Sequence, residues 1–96
     1  MEQHFEWDEE KAEENIKKHG IGFWEAVTVF RDPLAITIHD PDHSRDEDRF
    51  LTVGMTSRNR IVVTAFTERG PCIRVISCRE VSKSEKRKYE EGKFER

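Results

Sequence analysis

Apolar residues in the first third of the chain recur at helical spacing. Ala12 and Ile16 share one face of a predicted helix that runs from about Asp8, its N-cap, to His19, with Gly20 as the stop. Further apolar residues then follow at spacings of three, four and seven, which predicts a second helix. These residues are Phe23, Ala26, Val27 and Phe30.

From residue 34 onward the helical period gives way to alternation. Leu34, Ile36 and Ile38 alternate with smaller or more polar neighbours, so a strand begins there. Turn residues separate three more segments with strand composition, for which we predict strands at about 49–55, 61–67 and 72–79. Ser82 and Glu85 have the spacing of a capping box, which predicts a last helix over about 83–92.

This order of elements predicts an α+β fold in which two N-terminal helices pack on a four-stranded antiparallel sheet with a C-terminal helix. Strands grouped apart from helices are typical of that class. A chain of 96 residues is long enough for one domain, which we expect to span residues 1–96. Residues 4–7 would form a short extended lead-in, a short strand ahead of the two helices.

Charged residues are distributed unevenly along the chain, although the net charge is only −3. Residues 1–32 carry nine acids and four bases, whereas residues 57–96 carry six acids and eleven bases. A basic segment attached to an acidic one suits a polyanion or a protein partner. Cys72 and Cys78 are too few for a disulfide framework, and no signal segment or membrane span is evident, so we expect free thiols and a cytoplasmic protein.

Arginines stand at both ends of the last predicted strand, in the segment RVISCRE. A guanidinium group matches the geometry of phosphate, but most surface arginines are solvated or pair with an acid. In this chain, an arginine of the strand could pair with Glu6, Glu25 or Asp32. Arg74 and Arg79 are five residues apart, so in a regular strand they would face opposite sides unless a bulge intervenes. The residues alone thus leave two possibilities: these arginines pair with acids inside the fold, or they bind the phosphates of a substrate.

Histidines offer two further kinds of site. His19 follows two lysines at a helix end, where it could cap carbonyls or transfer protons. A second cluster of imidazoles and carboxylates resembles metal ligands, but Asp-Pro-Asp is also ordinary turn chemistry. That cluster comprises His39, Asp40, Asp42 and His43.

Taken in order along the chain, short motifs resemble the BrnT family of bacterial toxins. The resemblance covers nearly all of the sequence. The motifs are Phe5-Glu6-Trp7-Asp8, Lys18-His19-Gly20, Phe30-Arg31-Asp32-Pro33, Asp42-His43-Ser44 with Arg49, Thr67-Glu68-Arg69, Arg74-Val75-Ile76-Ser77-Cys78-Arg79 and Glu85-Lys86-Arg87-Lys88-Tyr89.

The resemblance implies a ribonuclease toxin of a type II toxin–antitoxin system with a fold like that of the RelE and ParE toxins. It implies a cognate antitoxin similar to BrnA, which binds the toxin as a hetero-oligomer and binds DNA through its own domain. We expect an RNA substrate, inhibition of translation and growth, and no cofactor or metal. In such an enzyme the 2′-hydroxyl attacks the adjacent phosphorus, with cations stabilising the developing charge.

For this chemistry we predict His19, Arg49, Arg74 and Arg79 as catalytic residues. The predicted RNA-binding residues are Lys18, Arg60, Arg69, Lys86 and Tyr89. Two alternatives stay open at this point: a non-enzymatic module that binds RNA or protein, and a metal-dependent nuclease at His39, Asp40, Asp42 and His43.

Overall fold

Five strands form one mixed sheet, which the computed structural model describes together with the helices over residues 4–93. The strands lie in the order β1-β5-β4-β3-β2. Their bounds are β1 His4–Glu6, β2 Ile36–His39, β3 Arg49–Met55, β4 Ile61–Arg69 and β5 Cys72–Glu80.

Three α-helices accompany the sheet: α1 Glu9–His19, α2 Phe23–Ala26 and α3 Lys83–Glu90. Asp8 caps α1 and Gly20 ends it in the left-handed conformation at φ 69°, as the sequence predicts. The capping box at the start of α3 is also confirmed. The predicted second helix is shorter, because the chain continues beyond α2 as a 3₁₀ helix, Val27–Arg31. No helix within residues 4–93 is long and apolar enough to cross a membrane.

The α+β class is confirmed, but the prediction of a four-stranded antiparallel sheet is wrong. The lead-in forms β1, which pairs in parallel with β5 through contacts such as His4 with Cys72 and Glu6 with Arg74. Three residues are too few to show an alternating pattern. The predicted short strand is therefore present, but its place in the sheet comes from pairing with a distant strand, which local sequence does not display.

A bulge in β5 changes which side chains share a face. Ala65 pairs with Ser77, and the next residue, Phe66, pairs with Val75, so Ile76 is inserted between two paired residues. The inserted residue shifts the alternation by one position. Arg74 and Arg79 therefore lie on the same face of the sheet, which corrects the expectation that they point to opposite sides.

One face of the sheet is covered by α1, α2 and the 3₁₀ helix. Their apolar side chains form the main core with strand residues such as Val62 and Val75. Asn15 of α1 lies along the edge of β5, where its side-chain amide bonds both backbone groups of Cys78. We call this the covered face.

The opposite face is covered only at one end. There Tyr89 of α3 packs in a small cluster with Val53 and Val63. Towards the other end the sheet presents polar and cationic side chains. This part, which we call the open face, carries Arg49, Thr67, Arg74, Ser77 and Arg79.

Candidate nucleic-acid interface

Two adjoining pockets lie on the open face. The larger, of about 530 Å³, contains Arg74, and we call it the Arg74 pocket. The smaller, of about 300 Å³, contains Arg79, and we call it the Arg79 pocket. His43 and Arg49 line both, so the two pockets meet at these side chains.

All four residues predicted as catalytic line these pockets. Arg49 comes from β3, Arg74 and Arg79 from β5, and His19 from the last turn of α1. The rigid sheet fixes the starting direction of each arginine, and the bulge at Ile76 brings the two β5 arginines together. The structure thus assembles one polar site, while the roles of the individual residues stay predictions.

The arginines of this site have carboxylate partners within the fold. Arg74 Nη1 lies 2.9 Å from Glu6 Oε2. Arg79 makes two parallel hydrogen bonds to Glu85, of 2.8 and 2.9 Å. This contact lowers the pKa of Glu85 to about 2. A phosphate that binds Arg79 therefore has to compete with a carboxylate of α3.

Arg49 is held less completely than Arg74 and Arg79. Its Nε lies 3.7 Å from Asp40 Oδ2, which is an ion-pair distance but too long for a hydrogen bond. This buried Nε has no hydrogen-bond partner within residues 4–93. The centre of the site thus contains a guanidinium whose hydrogen bonds are incomplete within residues 4–93.

A histidine–carboxylate pair lies beside Arg49, and its members were predicted from the sequence as metal ligands or turn residues. His43 Nδ1 lies 2.9 Å from Oδ2 of Asp40, whose side chain is only 3% exposed. When Nδ1 donates to the carboxylate, Nε2 is the acceptor of the neutral ring and faces away from Asp40. The i,i+3 spacing of the two residues in a short 3₁₀ turn, Pro41–His43, is the signal that could have revealed this pair.

The residues predicted to bind RNA are dispersed. Arg69 lines the Arg74 pocket, paired with Glu47 at 2.9 Å. Lys18 is exposed on α1 and does not line either pocket. Arg60 and Lys86 lie together in a separate pocket of about 260 Å³ near the β3–β4 turn.

Two of these dispersed residues are part of the scaffold. Arg60 bonds Glu25 of α2 through Nε, at 2.9 Å, and through Nη2, and this contact lowers the pKa of the Glu25 carboxyl. Tyr89 is buried and donates a hydrogen bond to Asp32. Burial raises the pKa of Tyr89 to about 12, with the Asp32 contact adding to the effect. The contacts of these two side chains stabilise the fold. Binding of RNA by either residue stays a prediction.

The cluster considered as a metal site does not converge. His39 Nε2 faces Asp48 at 3.1 Å, whereas His43 faces Asp40. Over residues 4–93 no group of three or more histidine, cysteine, aspartate or glutamate side chains is placed to hold a metal ion. Asp40 instead serves as the partner of His43 and Arg49.

Comparisons with known proteins identify relatives of this chain. The chain matches the family model described as "Ribonuclease toxin, BrnT, of type II toxin-antitoxin system" over residues 7–85. It also resembles the 1.1 Å crystal structure of the Brucella abortus ribonuclease toxin BrnT, with a TM-score of 0.63 and 25% identity. That match covers 85% of this chain and 100% of the Brucella chain. A search of curated proteins gives no match. The family match covers most of the chain, and we conclude that this protein belongs to the BrnT family of type II toxins.

Proposed function

We propose that this protein is a toxin that cleaves RNA on its open face, without a metal ion, by attack of the 2′-hydroxyl on the adjacent phosphorus. The observation that carries the proposal is the convergence of Arg49, Arg74 and Arg79 in two joined pockets. Guanidinium groups keep their charge at all relevant pH values and match phosphate with parallel donors. They therefore suit both binding of the RNA backbone and stabilisation of the negative charge that develops during cleavage.

The balance of charge in the Arg74 pocket supports an anionic ligand. Five cationic side chains line it, against three carboxylates. The cations are Lys11, Arg45, Arg49, Arg69 and Arg74, and the carboxylates are Asp42, Asp46 and Glu47. A cationic pocket raises the local concentration of a polyanion and speeds its association. The net acidic charge of the whole chain does not oppose this, because charge acts locally in a screened solution.

Two imidazoles in the Arg79 pocket suit the proton transfers of the reaction. His43 has its Nδ1 held by Asp40, so its Nε2 can accept the proton of the 2′-hydroxyl. His19 lies in the last turn of α1 and lines the same pocket, where its imidazole could donate a proton to the leaving oxygen. The O2′–P bond forms as the P–O5′ bond breaks, and the products carry a 2′,3′-cyclic phosphate and a 5′-hydroxyl.

Membership of a type II family implies an antitoxin partner, and we propose that this partner is similar to BrnA. An antitoxin segment that covers the open face would block the arginines and both histidines at once. Unblocked protein would then cleave cellular RNA and inhibit translation and growth. The packing of helices on one face of a largely antiparallel sheet also supports a RelE-like fold.

The experiment that tests this proposal is cleavage of a labelled RNA oligonucleotide by the purified protein in the presence of EDTA. We expect cleavage with 2′,3′-cyclic phosphate ends. A single 2′-deoxy substitution at the cleaved position is the matched control, and it should block cleavage because the attacking hydroxyl is absent.

Three results would contradict the proposal. Loss of cleavage in EDTA would favour the metal-dependent alternative, and cleavage of the deoxy substrate would exclude 2′-hydroxyl attack. If the protein binds RNA without cutting it, expression in cells decides: a protein that does not inhibit growth would be a binding module rather than a toxin.

A further inference from the structure

The hydroxyl of Thr67 is buried on the open face without a partner. Thr67 is 4% exposed, and its Oγ1 has no hydrogen-bond partner within residues 4–93. Most buried polar groups in folded proteins are hydrogen-bonded, and leaving one unsatisfied is costly. The unpartnered hydroxyl of Thr67 therefore needs an explanation. A ligand that accepts its hydrogen bond would provide one.

Neighbouring threonines show that this is a local feature. Thr52, Thr56, Thr64 and Thr67 are the four buried threonines of the described chain. Thr52 bonds Thr37 at 2.7 Å, Thr56 bonds Glu25 at 2.7 Å and Thr64 bonds the carbonyl of Ala26 at 3.3 Å. Three of the four hydroxyls thus have a partner inside the fold, and the exception lines the Arg74 pocket.

The strand register places Thr67 between two arginines. Arg49 of β3 pairs with Thr67 of β4, and Thr67 pairs in turn with Arg74 of β5. Side chains directly opposite on neighbouring strands lie within about 5.5 Å at Cβ, so the three polar groups form one row across the sheet. The other buried polar atom without a hydrogen-bond partner in residues 4–93 is Nε of Arg49, in this same row.

We propose that Arg49, Thr67 and Arg74 form a phosphate subsite, which holds one phosphate of the RNA backbone. Thr67 Oγ1 donates to one phosphate oxygen and Arg49 Nε donates to another. Arg74, on the opposite side of Thr67 from Arg49, adds a second positive charge. The row combines a neutral donor with two cations, which suits a tetrahedral anion whose oxygens point in different directions. The choice of RNA as the source of that phosphate rests on the proposed function, whereas the anion subsite itself does not.

The test uses two threonine-to-valine substitutions in the same strand. Thr67→Val removes the unpartnered hydroxyl and keeps the shape of the side chain. Thr64→Val is the matched control, because Thr64 is also fully buried in β4 but faces the covered side and has a partner. Inorganic phosphate is titrated into each protein, and binding is followed by amide chemical shifts in ¹H–¹⁵N NMR spectra.

We expect Thr67→Val to weaken phosphate binding by roughly tenfold, since a hydrogen bond to a charged group is lost. Its Tm should stay unchanged or rise, because no internal hydrogen bond is removed. Thr64→Val should show the opposite pattern, with unchanged phosphate binding and a Tm lower by about 4–8 °C. Thr67→Ser keeps the hydroxyl and should bind phosphate about as well as the unsubstituted chain.

Unchanged phosphate binding in Thr67→Val would overturn the subsite, and so would equal weakening in Thr67→Val and Thr64→Val. A lower Tm in Thr67→Val with unaltered binding would show that the hydroxyl has a structural partner. Phosphate binding needs no cleavage, so the two proposals fail separately. Tenfold weaker binding in a protein that never cuts RNA would retain the subsite and reject the ribonuclease. If Thr67→Val cleaves RNA and binds phosphate as well as the unsubstituted chain does, the ribonuclease is retained and the phosphate subsite is rejected.

Discussion

On the covered face of the sheet, Asn15 bonds three backbone groups, and Thr64 has its hydroxyl bonded to Ala26. On the open face, Thr67 in the same strand has no such partner within residues 4–93, and neither does Nε of Arg49. Both faces are built from one set of strands, and the two threonines are both buried. The two faces therefore differ in where their polar groups find hydrogen-bond partners. On the covered face the helices supply these partners, and on the open face we propose that a ligand does.

Arginine shows the same contrast. Arg60 is fixed by Glu25 of α2 and by the carbonyl of Gly20, so it ties the β3–β4 turn to the helices. Arg49 meets its carboxylate partner, Asp40, only at 3.7 Å. A guanidinium with optimal internal partners stabilises the fold, whereas one with incomplete partners is available to an anion.

The largest effect on the covered face is expected from Asn15→Ala. The substitution leaves the carbonyls of Ile21 and Cys78 and the amide of Cys78 without their side-chain partner. We expect the free energy of unfolding to fall by about 3–5 kcal/mol, since each buried group left unsatisfied costs about 1–3 kcal/mol. Urea denaturation measures this, with Lys17→Ala, on the exposed side of the same helix, as the control. A loss no larger than that of the control would show that Asn15 does not hold the strand edge.

Gly54→Ala should cause the next largest loss of stability. A Cβ at this position would meet the Cβ atoms of Ala35 at 3.1 Å and Val29 at 3.2 Å, in the packed layer between the strands and the 3₁₀ helix. Such overpacking costs about 1–3 kcal/mol, which thermal unfolding would detect. Cleavage per folded molecule should be unchanged, because the open face is not touched. Reduced activity in fully folded protein would mean that the two faces are coupled.

Glu85→Gln tests the carboxylate that α3 places on Arg79. The Glu85 pKa of about 2 lies below its ordinary value of 4.5 because Arg79 donates to the ionised form. The contact therefore adds stability above pH 4.5, and this stability is lost as the pH falls towards 2. The stability difference between the unsubstituted chain and Glu85→Gln should be present at pH 7 and shrink over that interval.

The same substitution should strengthen RNA binding by about twofold to fivefold, because one competing charge is removed from an exposed pair. Fluorescence anisotropy with labelled RNA measures this, and Glu90→Gln in the same helix is the control. Equal binding by both variants would show that Arg79 does not contact RNA.

The smallest effect concerns the thiols. Burial raises the pKa of Cys78 to about 11, and its side chain is fully enclosed on the covered face. Cys72 is only half-buried. Iodoacetamide at pH 8 should therefore modify Cys72 first, and Cys78 only after denaturant is added, as mass spectrometry of the peptides would show. Early modification of Cys78 would reveal that the covered face opens.

Much of the fold follows from local chemistry that a sequence displays. Asp8 and Gly20 bound α1, Ser82 begins α3, and the strand predicted at 49–55 matches the observed Arg49–Met55. Each of these signals lies within a few residues of the element that it defines. What could not be predicted depends on distant partners. The short strand at residues 4–6 was expected, but its place in the sheet depends on pairing with β5, and the bulge at Ile76 is defined by pairing with β4.

The candidate site shows the same limit. The arginine residues themselves could be chosen from the sequence, because their chemistry suits phosphate. Their arrangement could not, since a single inserted residue decides whether Arg74 and Arg79 share a face. The partners Glu6 and Glu85 and the orientation of His43 by Asp40 likewise need the folded chain. Thr67 belongs to one of the motifs that carry the family resemblance, but its proposed role had no sequence signal, because a threonine in a strand is ordinary until its hydroxyl lacks a partner.

The measurement that tests the central claim most directly is RNA cleavage in EDTA by the unsubstituted protein, Arg49→Gln and Arg58→Gln. Both substitutions remove one positive charge, but Arg58 lies exposed in the β3–β4 turn and does not line either pocket. If the open face is the active site, Arg49→Gln should lower the cleavage rate by about 100-fold or more, as loss of a transition-state donor does. Arg58→Gln should cut at nearly the unsubstituted rate. Equal rates for the two variants would contradict the claim that the open face cleaves RNA.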